Sequence, residues 1–466
     1  ETLDFLQSSL VDLPPRQRSL RAVFDYSWQL LTPAEQQALA QMSIFRAAFS
    51  REAAQRVAQV ALPQLLALVN KSLVRTVAAG RYAMHELVRQ FAAEWGAVQL
   101  ATEARAAIAQ RHADYYLHLV QAQEGLWGEQ PQNTVAQLLQ EIEHLRQAWQ
   151  WAVDQKDAAL LLAALPNLAR AFDLAGLYRE AATTWQRALA EWQLLRSEQS
   201  NTTIISPAQH CQLRLQIEAA RTETVLGNYE QAAMYAEAAL THMSTIDQTL
   251  TATRAMSYQQ LGVIYYRQGE QAKARPLLAT AVALAQESGE TRLTADCLLS
   301  LGEVELYQGE KSAQDAFADA LARYRHCGDR RGEGAALHSL GLFAHMHSDF
   351  GAGKQYFEEA LRIHRALEDR HLEAMTLLGL SGFYGKQRHF AESDRYAQQA
   401  RQLSRTIGYR IGEVQALTGL GVNQMHQGMA AAARTYFAEA LLIAQESGYL
   451  RGEGALLNNL GNLASD

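Results

Sequence analysis

Three stretches of this 466-residue chain and three scattered cysteines hold residue types that could do chemistry. In RYAMHELVRQFA, residues 81–92, His85 stands beside Glu86 where an extended run gives way to helical spacing at Leu87, Val88 and Phe91. His-Glu-x-x opens as a zinc-protease helix does, but Arg89 occupies the place of the second histidine ligand. In HMH, His345 and His347 are two apart and fall on different sides of a helix. His338 shares a face with His345 but lies about 10 Å away along the axis, too far for one ion. SDFGAGKQYF, residues 348–357, imitates a phosphate loop, yet Ser348 replaces its first glycine and Gln355 follows Lys354 where Ser or Thr is needed. The three cysteines, Cys211, Cys297 and Cys327, form neither a metal pair nor a disulfide framework, which suggests a reducing cytoplasm. No catalytic residue and no metal ligand is assigned from these patterns, and the chain reads as no enzyme.

The elements that position these residues repeat. Leu-Gly recurs at Leu261-Gly262, Leu301-Gly302, Leu340-Gly341, Leu420-Gly421 and Leu460-Gly461, with Leu380-Ser381 in the one gap, at spacings of 40, 39, 40, 40 and 40. A turn follows each of the first five: Gly269-Glu270, Gly309-Glu310, Asp349-Phe350, His389-Phe390 and Gly428-Met429. Ala281, Ala320, Ala360, Ala400 and Ala440 then mark a second helix. Each unit is therefore expected to be an antiparallel helix pair, with small residues allowing close approach and Phe317, Phe357 and Phe437 filling space between neighbouring pairs. This resembles the tetratricopeptide repeat in a form of about forty residues. Two divergent units, AGLYREAATTWQRAL (175–189) and LGNYEQAAMYAEAAL (226–240), precede the regular ones, with the polar stretch 197–207 as a loop. Seven repeats and a terminal half-repeat are expected.

Residues 14–95 have no such period. An amphipathic helix through PPRQRSLRAVFDYSWQLL, a second begun by Thr32-Pro33, a third capped by Ser50 and a fourth through LPQLLALVNKSL precede a hairpin of Leu73–Val77 and Arg81–Met84. A helix over 85–95 follows. Short helices with a two-stranded wing make a winged-helix plan. Residues 101–155 read as two longer amphipathic helices. The expected architecture is all-α with one small β-hairpin wing. It comprises the end of a preceding helical region (1–13), a winged-helix domain (14–95), a helical arm (96–157) and an α-solenoid (158–466).

LPPRQRSLRAVFDYSWQLLTPAEQQALAQMSIFRAAFSREAAQRV, then LLALVNKSLVR and RYAMHELVRQFA, resembles the winged-helix segment of bacterial STAND-type regulators. These are signal-transducing ATPases with a nucleotide-oligomerisation (NB-ARC) module, a winged helix and a repeat sensor. Their transcription-factor members are related to the maltose-regulon activator and to AfsR-like proteins. The resemblance continues through RHADYYLHLV and EIEHLRQAWQWAV into the repeats. It implies a Met-His-Asp motif whose histidine contacts the phosphate of bound ADP and locks the off state. Met84, His85 and Glu86 match it, with Glu for Asp, which leaves the role of the acid open. An imidazole beside helix N-terminal amides suits a phosphate. No cofactor is expected in this chain; ADP or ATP with Mg would need the nucleotide-binding domain. The chain, which opens without Met, reads as a piece of something longer.

In such repeats the first helices line the concave groove. Counting from each Leu nominates Gln259, Tyr266, Arg267, Glu303, Tyr307, His338, His345, Met346, Lys386, Thr418, Met425, His426, Asn458 and Asn462. This polar set with aromatic and Met interruptions suits a peptide, a protein or a polar small-molecule inducer. A second ladder, Glu333, Glu373, Glu413 and Glu453 with Arg330, Arg370 and Arg410 three residues earlier, reads as first-turn Glu paired to Arg.

Charge argues against nucleic acid: residues 1–95 carry 10 Lys and Arg against 8 Asp and Glu, and the whole chain is at −7. No apolar run approaches the roughly 20 residues that span a bilayer, so no membrane role is expected. The chain's own upstream nucleotide domain is the expected partner, with a monomer as a fragment and an oligomer when the parent is activated. The function expected is the regulatory half of a STAND ATPase acting in transcription. The alternative is a tetratricopeptide scaffold without nucleotide control.

Overall fold

A computed structural model describes residues 20–128, 130–193, 205–244, 250–447 and 449–465. The expected helical tail at 1–13, the start of the first amphipathic helix and most of the loop at 197–207 lie outside them. Packing divides the chain into two compact units, one of residues 1–123 with 133–215 and the other of 124–132 with 216–466. Residue 158, where the sequence suggests that the repeats begin, falls inside the first unit.

The first unit opens with α1 (Leu20–Gln29) and α2 (Pro33–Met42). Thr32 starts α2 with a reciprocal cap: its hydroxyl accepts from the Glu35 amide at 3.3 Å, and its own amide donates to the Glu35 carboxylate at 2.8 Å. Ser50 caps α3 (Arg51–Arg56) by accepting from the Ala53 amide at 3.0 Å. After α4 (Leu62–Asn70) come β2 (Val74–Ala78) and β3 (Arg81–Met84). The wing is a three-stranded sheet rather than a hairpin. A short β1 (Phe49–Ser50) pairs antiparallel with β3, giving the order β1-β3-β2. Two residues are too few to show alternation, so β1 left no trace in the sequence.

Aromatic side chains close this core. Trp28 stacks on Trp95 at 5.3 Å and meets Phe91 edge-on at 5.8 Å, while Phe45 stacks on Phe49 at 4.3 Å. After α5 (Glu86–Gln99) the arm begins with α6 (Thr102–Gln121). The second expected arm helix is interrupted at Glu141 into α7 (Pro131–Gln140) and α8 (Ile142–Asp154). Glu141 is taken up in an ion pair with Arg81, whose guanidinium also donates to the Ala48 carbonyl at 2.8 Å. His112 of α6 and His144 of α8 are buried against each other, ring nitrogens 3.4 Å apart, with Tyr116 stacked on His144 at 4.7 Å. His144 Nε2 lies 3.3 Å from the Ala48 carbonyl and donates to it, so both rings are neutral donors in one chain of hydrogen bonds. Burial pushes His112 down to about 3, aided by the repulsion a second proton would meet beside His144 and Arg46, and pushes His144 down to about 4.

The unit continues with α9 (Ala158–Ala175) and α10 (Tyr178–Gln193). By length and composition α9 is apolar enough to cross a membrane, which corrects the sequence expectation. Pro166, Asn167, Arg170 and Asp173 break its apolar run and concealed it. Here its apolar face packs on α6 and α8, and Asn167 donates to the carbonyls of Val120 and Gln121 at 3.0 and 2.9 Å.

Beyond α11 (Pro207–Leu226) and α12 (Tyr229–Ser244), the second unit is an array of antiparallel pairs. They are α13/α14 (Thr251–Arg267, Gln271–Ser288), α15/α16 (Thr291–Tyr307, Ser312–Cys327), α17/α18 (Arg330–Met346, Phe350–Ala366), α19/α20 (Arg370–Lys386, Phe390–Thr406) and α21/α22 (Arg410–His426, Ala430–Ser447). A last α23 spans Leu450–Ser465. The glycine after each Leu is required by close approach. A Cβ on Gly262 would stand 2.6 Å from Leu278, on Gly302 2.5 Å from Phe317 and on Gly341 2.8 Å from Phe357. On Gly421 it would run into Phe437. The Phe rings thus sit over the glycine of their own pair, and Phe357 also reaches the next pair, where a Cβ on Gly379 would stand 2.6 Å from it. Ser381 is tolerated because the matching position on α20 is Ala397, not a large residue.

The charged ladder holds neighbouring elements together. Glu333 is gripped by Arg325 at 2.9 Å and by Arg330, Glu373 by Arg365 at 2.8 Å and Arg370 at 3.6 Å, and Glu413 by Arg405 and Arg410 at 3.7 and 3.6 Å. Each Arg is half-exposed and each Glu nearly buried, so the ladder is a set of structural clamps.

Candidate functional site

His85 is placed by the wing. Strand β3 delivers the chain to the N-cap of α5 with φ −65° and ψ 140°, and His85 Nδ1 accepts from the Leu87 amide at 3.3 Å. That bond puts the proton of a neutral ring on Nε2, so the exposed side chain presents an N–H donor outward. Its neighbours do not join it. Met84 is half-buried and pairs with Val74 in the sheet. Glu86 turns to Arg89, which donates from Nε at 2.8 Å and Nη2 at 2.6 Å, and to Gln90 at 2.8 Å. The Arg89 hydrogen bonds hold the Glu86 carboxyl down at about 2 in spite of its partial burial. Arg89 also donates to the Ser43 carbonyl at 3.3 Å, tying α5 to the end of α2. Of the two exposed motif residues, Glu86 is engaged by Arg89 and Gln90, and His85 has no side-chain partner among the described residues.

In the second unit, first helices of neighbouring pairs pack on each other, α13 on α15 and so on to α21 on α23. Arg267, Glu303, Tyr266 and Tyr307 form one group. The two tyrosine rings meet edge-on at 6.4 Å, and Arg267 and Glu303 lie within each other's field. Arg267 is exposed to solvent while protein surrounds it, as befits a side chain standing in an open groove. Burial raises the Glu303 carboxyl, and Arg267 only partly reverses this. Burial pulls the Arg267 guanidinium down, but Glu303 and the phenols around it leave it raised. Two of those phenols, Tyr229 and Tyr409, were missed by the count along first helices. They sit at helix starts, and their approach to Arg267 is a tertiary fact with no signal in the spacing.

Other nominated residues are engaged within the fold. Lys386 donates to the carbonyls of His345 and Met346 at 2.8 and 3.2 Å and caps α17. Burial and the Lys386 charge push the His345 imidazole down, and its buried Nδ1 has no partner. Gln259 donates to the Ser300 hydroxyl at 3.2 Å, and Thr418 to the Val414 carbonyl at 2.7 Å. Met425 packs into the last apolar cluster, and His426 stacks on Phe390 at 6.4 Å. Met346, Asn458 and Asn462 are exposed. His338 is a correction. It is buried between repeats, edge-on to Phe357 at 5.7 Å and 3.4 Å from the Thr376 hydroxyl, which also meets His364 at 3.0 Å. Helical counting cannot distinguish the groove from the adjoining interface when the stack turns between repeats. Among the described residues, no three His, Cys, Asp or Glu side chains gather as a metal would need.

Residues 253–326 match the family model described as tetratricopeptide repeat. The paired helices are tetratricopeptide repeats. Across 96% of its length the chain resembles the crystal structure of the STAND protein PH0952 from Pyrococcus horikoshii, which has a tetratricopeptide-repeat sensor. The TM-score is 0.63 at 18% identity, and 64% of that protein is covered. A Rap protein crystallised with competence and sporulation factor shares the fold over 77% of this chain and 98% of its own, with a TM-score of 0.50 at 11% identity. Two mycobacterial proteins provisionally named HTH-type transcriptional regulators, Rv0890c of Mycobacterium tuberculosis and Mb0914c of Mycobacterium bovis, are 34% identical over 151 residues. That match spans 29% of this chain and only 16% of those regulators.

Proposed function

We propose that this chain is the regulatory and sensor half of a STAND-type signal-transducing ATPase acting as a cytoplasmic transcriptional regulator. The observation that carries the reading is His85, an exposed imidazole with Nε2–H turned outward at a helix start in the unit that precedes a repeat array. Such a donor fits a phosphate oxygen of ADP held by a nucleotide domain elsewhere in the protein. Glu86 serves this arrangement indirectly, by fixing Arg89 and the first turn of α5.

The likeness in fold to a STAND protein and the partial sequence match to regulators support the same reading. Catalysis belongs to the nucleotide domain, and this chain hydrolyses nothing by itself. The input is a peptide, protein segment or polar inducer in the groove around Arg267, Glu303, Tyr266 and Tyr307. The Rap protein of similar fold was crystallised in complex with competence and sporulation factor. Binding there shifts the protein from a closed, ADP-retaining state toward an open one that oligomerises. In the whole protein, His85→Ala is expected to weaken ADP retention about tenfold, the worth of one such hydrogen bond, and to raise basal output. Unchanged retention and output would leave His85 a cap only and favour a scaffold without nucleotide control.

A further inference from the structure

In the first unit, α8, α9 and α10 enclose a cleft of about 400 Å³, within the range of small-molecule sites. Its floor is apolar, made by Leu145 and Trp149 of α8 with Leu168 and Phe172 of α9. Trp185 fixes this floor from behind, meeting Trp149 edge-on at 5.3 Å and Phe172 at 5.8 Å. Both indole N–H groups are buried without an acceptor, so the aromatic cluster is not a fully satisfied core.

The rim is polar and mostly balanced. Arg146 is held by Glu180 through two bonds, at 2.7 and 2.8 Å. The hydroxyls of Thr183 and Thr184 donate to helix carbonyls at 2.9 and 2.8 Å, which leaves their lone pairs toward the opening. Arg187 is different. It lines the cleft, is exposed, and makes no ion pair among the described residues. With Arg146 neutralised by Glu180, the remaining charge of the lining is positive and belongs to Arg187.

We propose that this cleft is a second ligand site, for a small ring compound that is mostly apolar and bears one anionic group. The ring packs on Trp149 and Phe172, and the anion pairs with Arg187. The site is separate from the repeat groove and does not depend on the nucleotide-switch reading.

Titration of the full chain with 2-naphthoate, followed by calorimetry and tryptophan fluorescence, tests it. One saturable site with quenching is expected. Arg187→Gln weakens binding about tenfold, the worth of a charge-assisted contact, and 2-naphthamide binds the unaltered chain about tenfold more weakly than the acid. The acid and the amide then bind Arg187→Gln alike. Thr183→Trp, at the exposed mouth, abolishes binding. Absence of saturable binding overturns the proposal, as does equal binding by Thr183→Trp and the unaltered chain. Equal affinity for acid and amide overturns the anionic assignment.

Discussion

The two compact units bury polar groups by opposite strategies. In the first, each device occurs once. His112 and His144 share an aromatic enclosure and a single backbone carbonyl, and Arg81 ties the wing to Glu141. In the second, one device recurs at the period of the sequence, as Glu333, Glu373 and Glu413 each sit between two arginines. The first unit depends on contacts distant in sequence, so its polar groups must find particular partners. The array depends on neighbouring helices, so one workable local solution is repeated. Yet the array has its own exception, the buried His338–Thr376–His364 chain, where burial lowers His338 to about 4 and His364 to about 3.

Acid gives the largest effect and tests whether both units carry the same weakness. His112, His144, His338 and His364 are all held below the ordinary imidazole value, so the unfolded chain takes up protons that the folded chain refuses. Stability is complete above about pH 6.5 and is lost as pH falls toward the folded values. Between pH 7 and 5 each imidazole is expected to remove about 2 kcal/mol, hence about 4 kcal/mol from each unit. All seven tryptophans lie at or before Trp192. Urea unfolding followed by their fluorescence therefore reports mainly the first unit, and far-ultraviolet circular dichroism weights the array. A shift seen by one signal alone would show that one histidine pair is not sealed.

Next in size is a test of the repeated fit between small and large residues. Ala397→Phe is expected to destabilise the array by about 2 kcal/mol through overpacking against Ser381. Adding Ser381→Gly should recover part of that loss, although Ser381→Gly alone destabilises through helix propensity. Simple additivity of the two in urea unfolding would mean that the Gly–Phe pairing is incidental.

The smallest effect concerns turns. Gly269, Gly309 and Gly428 hold positive φ after their first helices, and Ser348 and Arg388 do the same at φ 61° without being glycine. Ser348→Gly and Arg388→Gly are each expected to stabilise by about 1 kcal/mol, read as a raised unfolding midpoint. Gly309→Ser should do the reverse.

The array was legible because its rules are local. Leu-Gly spacing, turn position and helix pairing are each decided within about forty residues, and the structure reproduces them as helix pairs. The wing was legible except for β1, whose two residues gain their strand character only by pairing with Arg81 and Tyr82. Among the candidate residues, Tyr266 and Tyr307 could be placed by counting, because they stand five and six residues after Leu261 and Leu301 on adjacent first helices. His338 could not, since a small rotation of one helix against the next decides between groove and interface.

The sequence by itself determined the helix pairs, their period, the place of His85 at a helix start and the absence of a phosphate-loop motif from this chain. These follow from side-chain size, periodicity and backbone preference, which act over one or two turns. Only the tertiary structure decided that Glu86 is occupied by Arg89 while His85 is exposed, that Tyr409 shares the field of Arg267, and that a cleft opens over Trp149. Such outcomes depend on where distant elements come to rest. Burial, electrostatic field and cavity volume are properties of that arrangement and have no counterpart in a linear pattern.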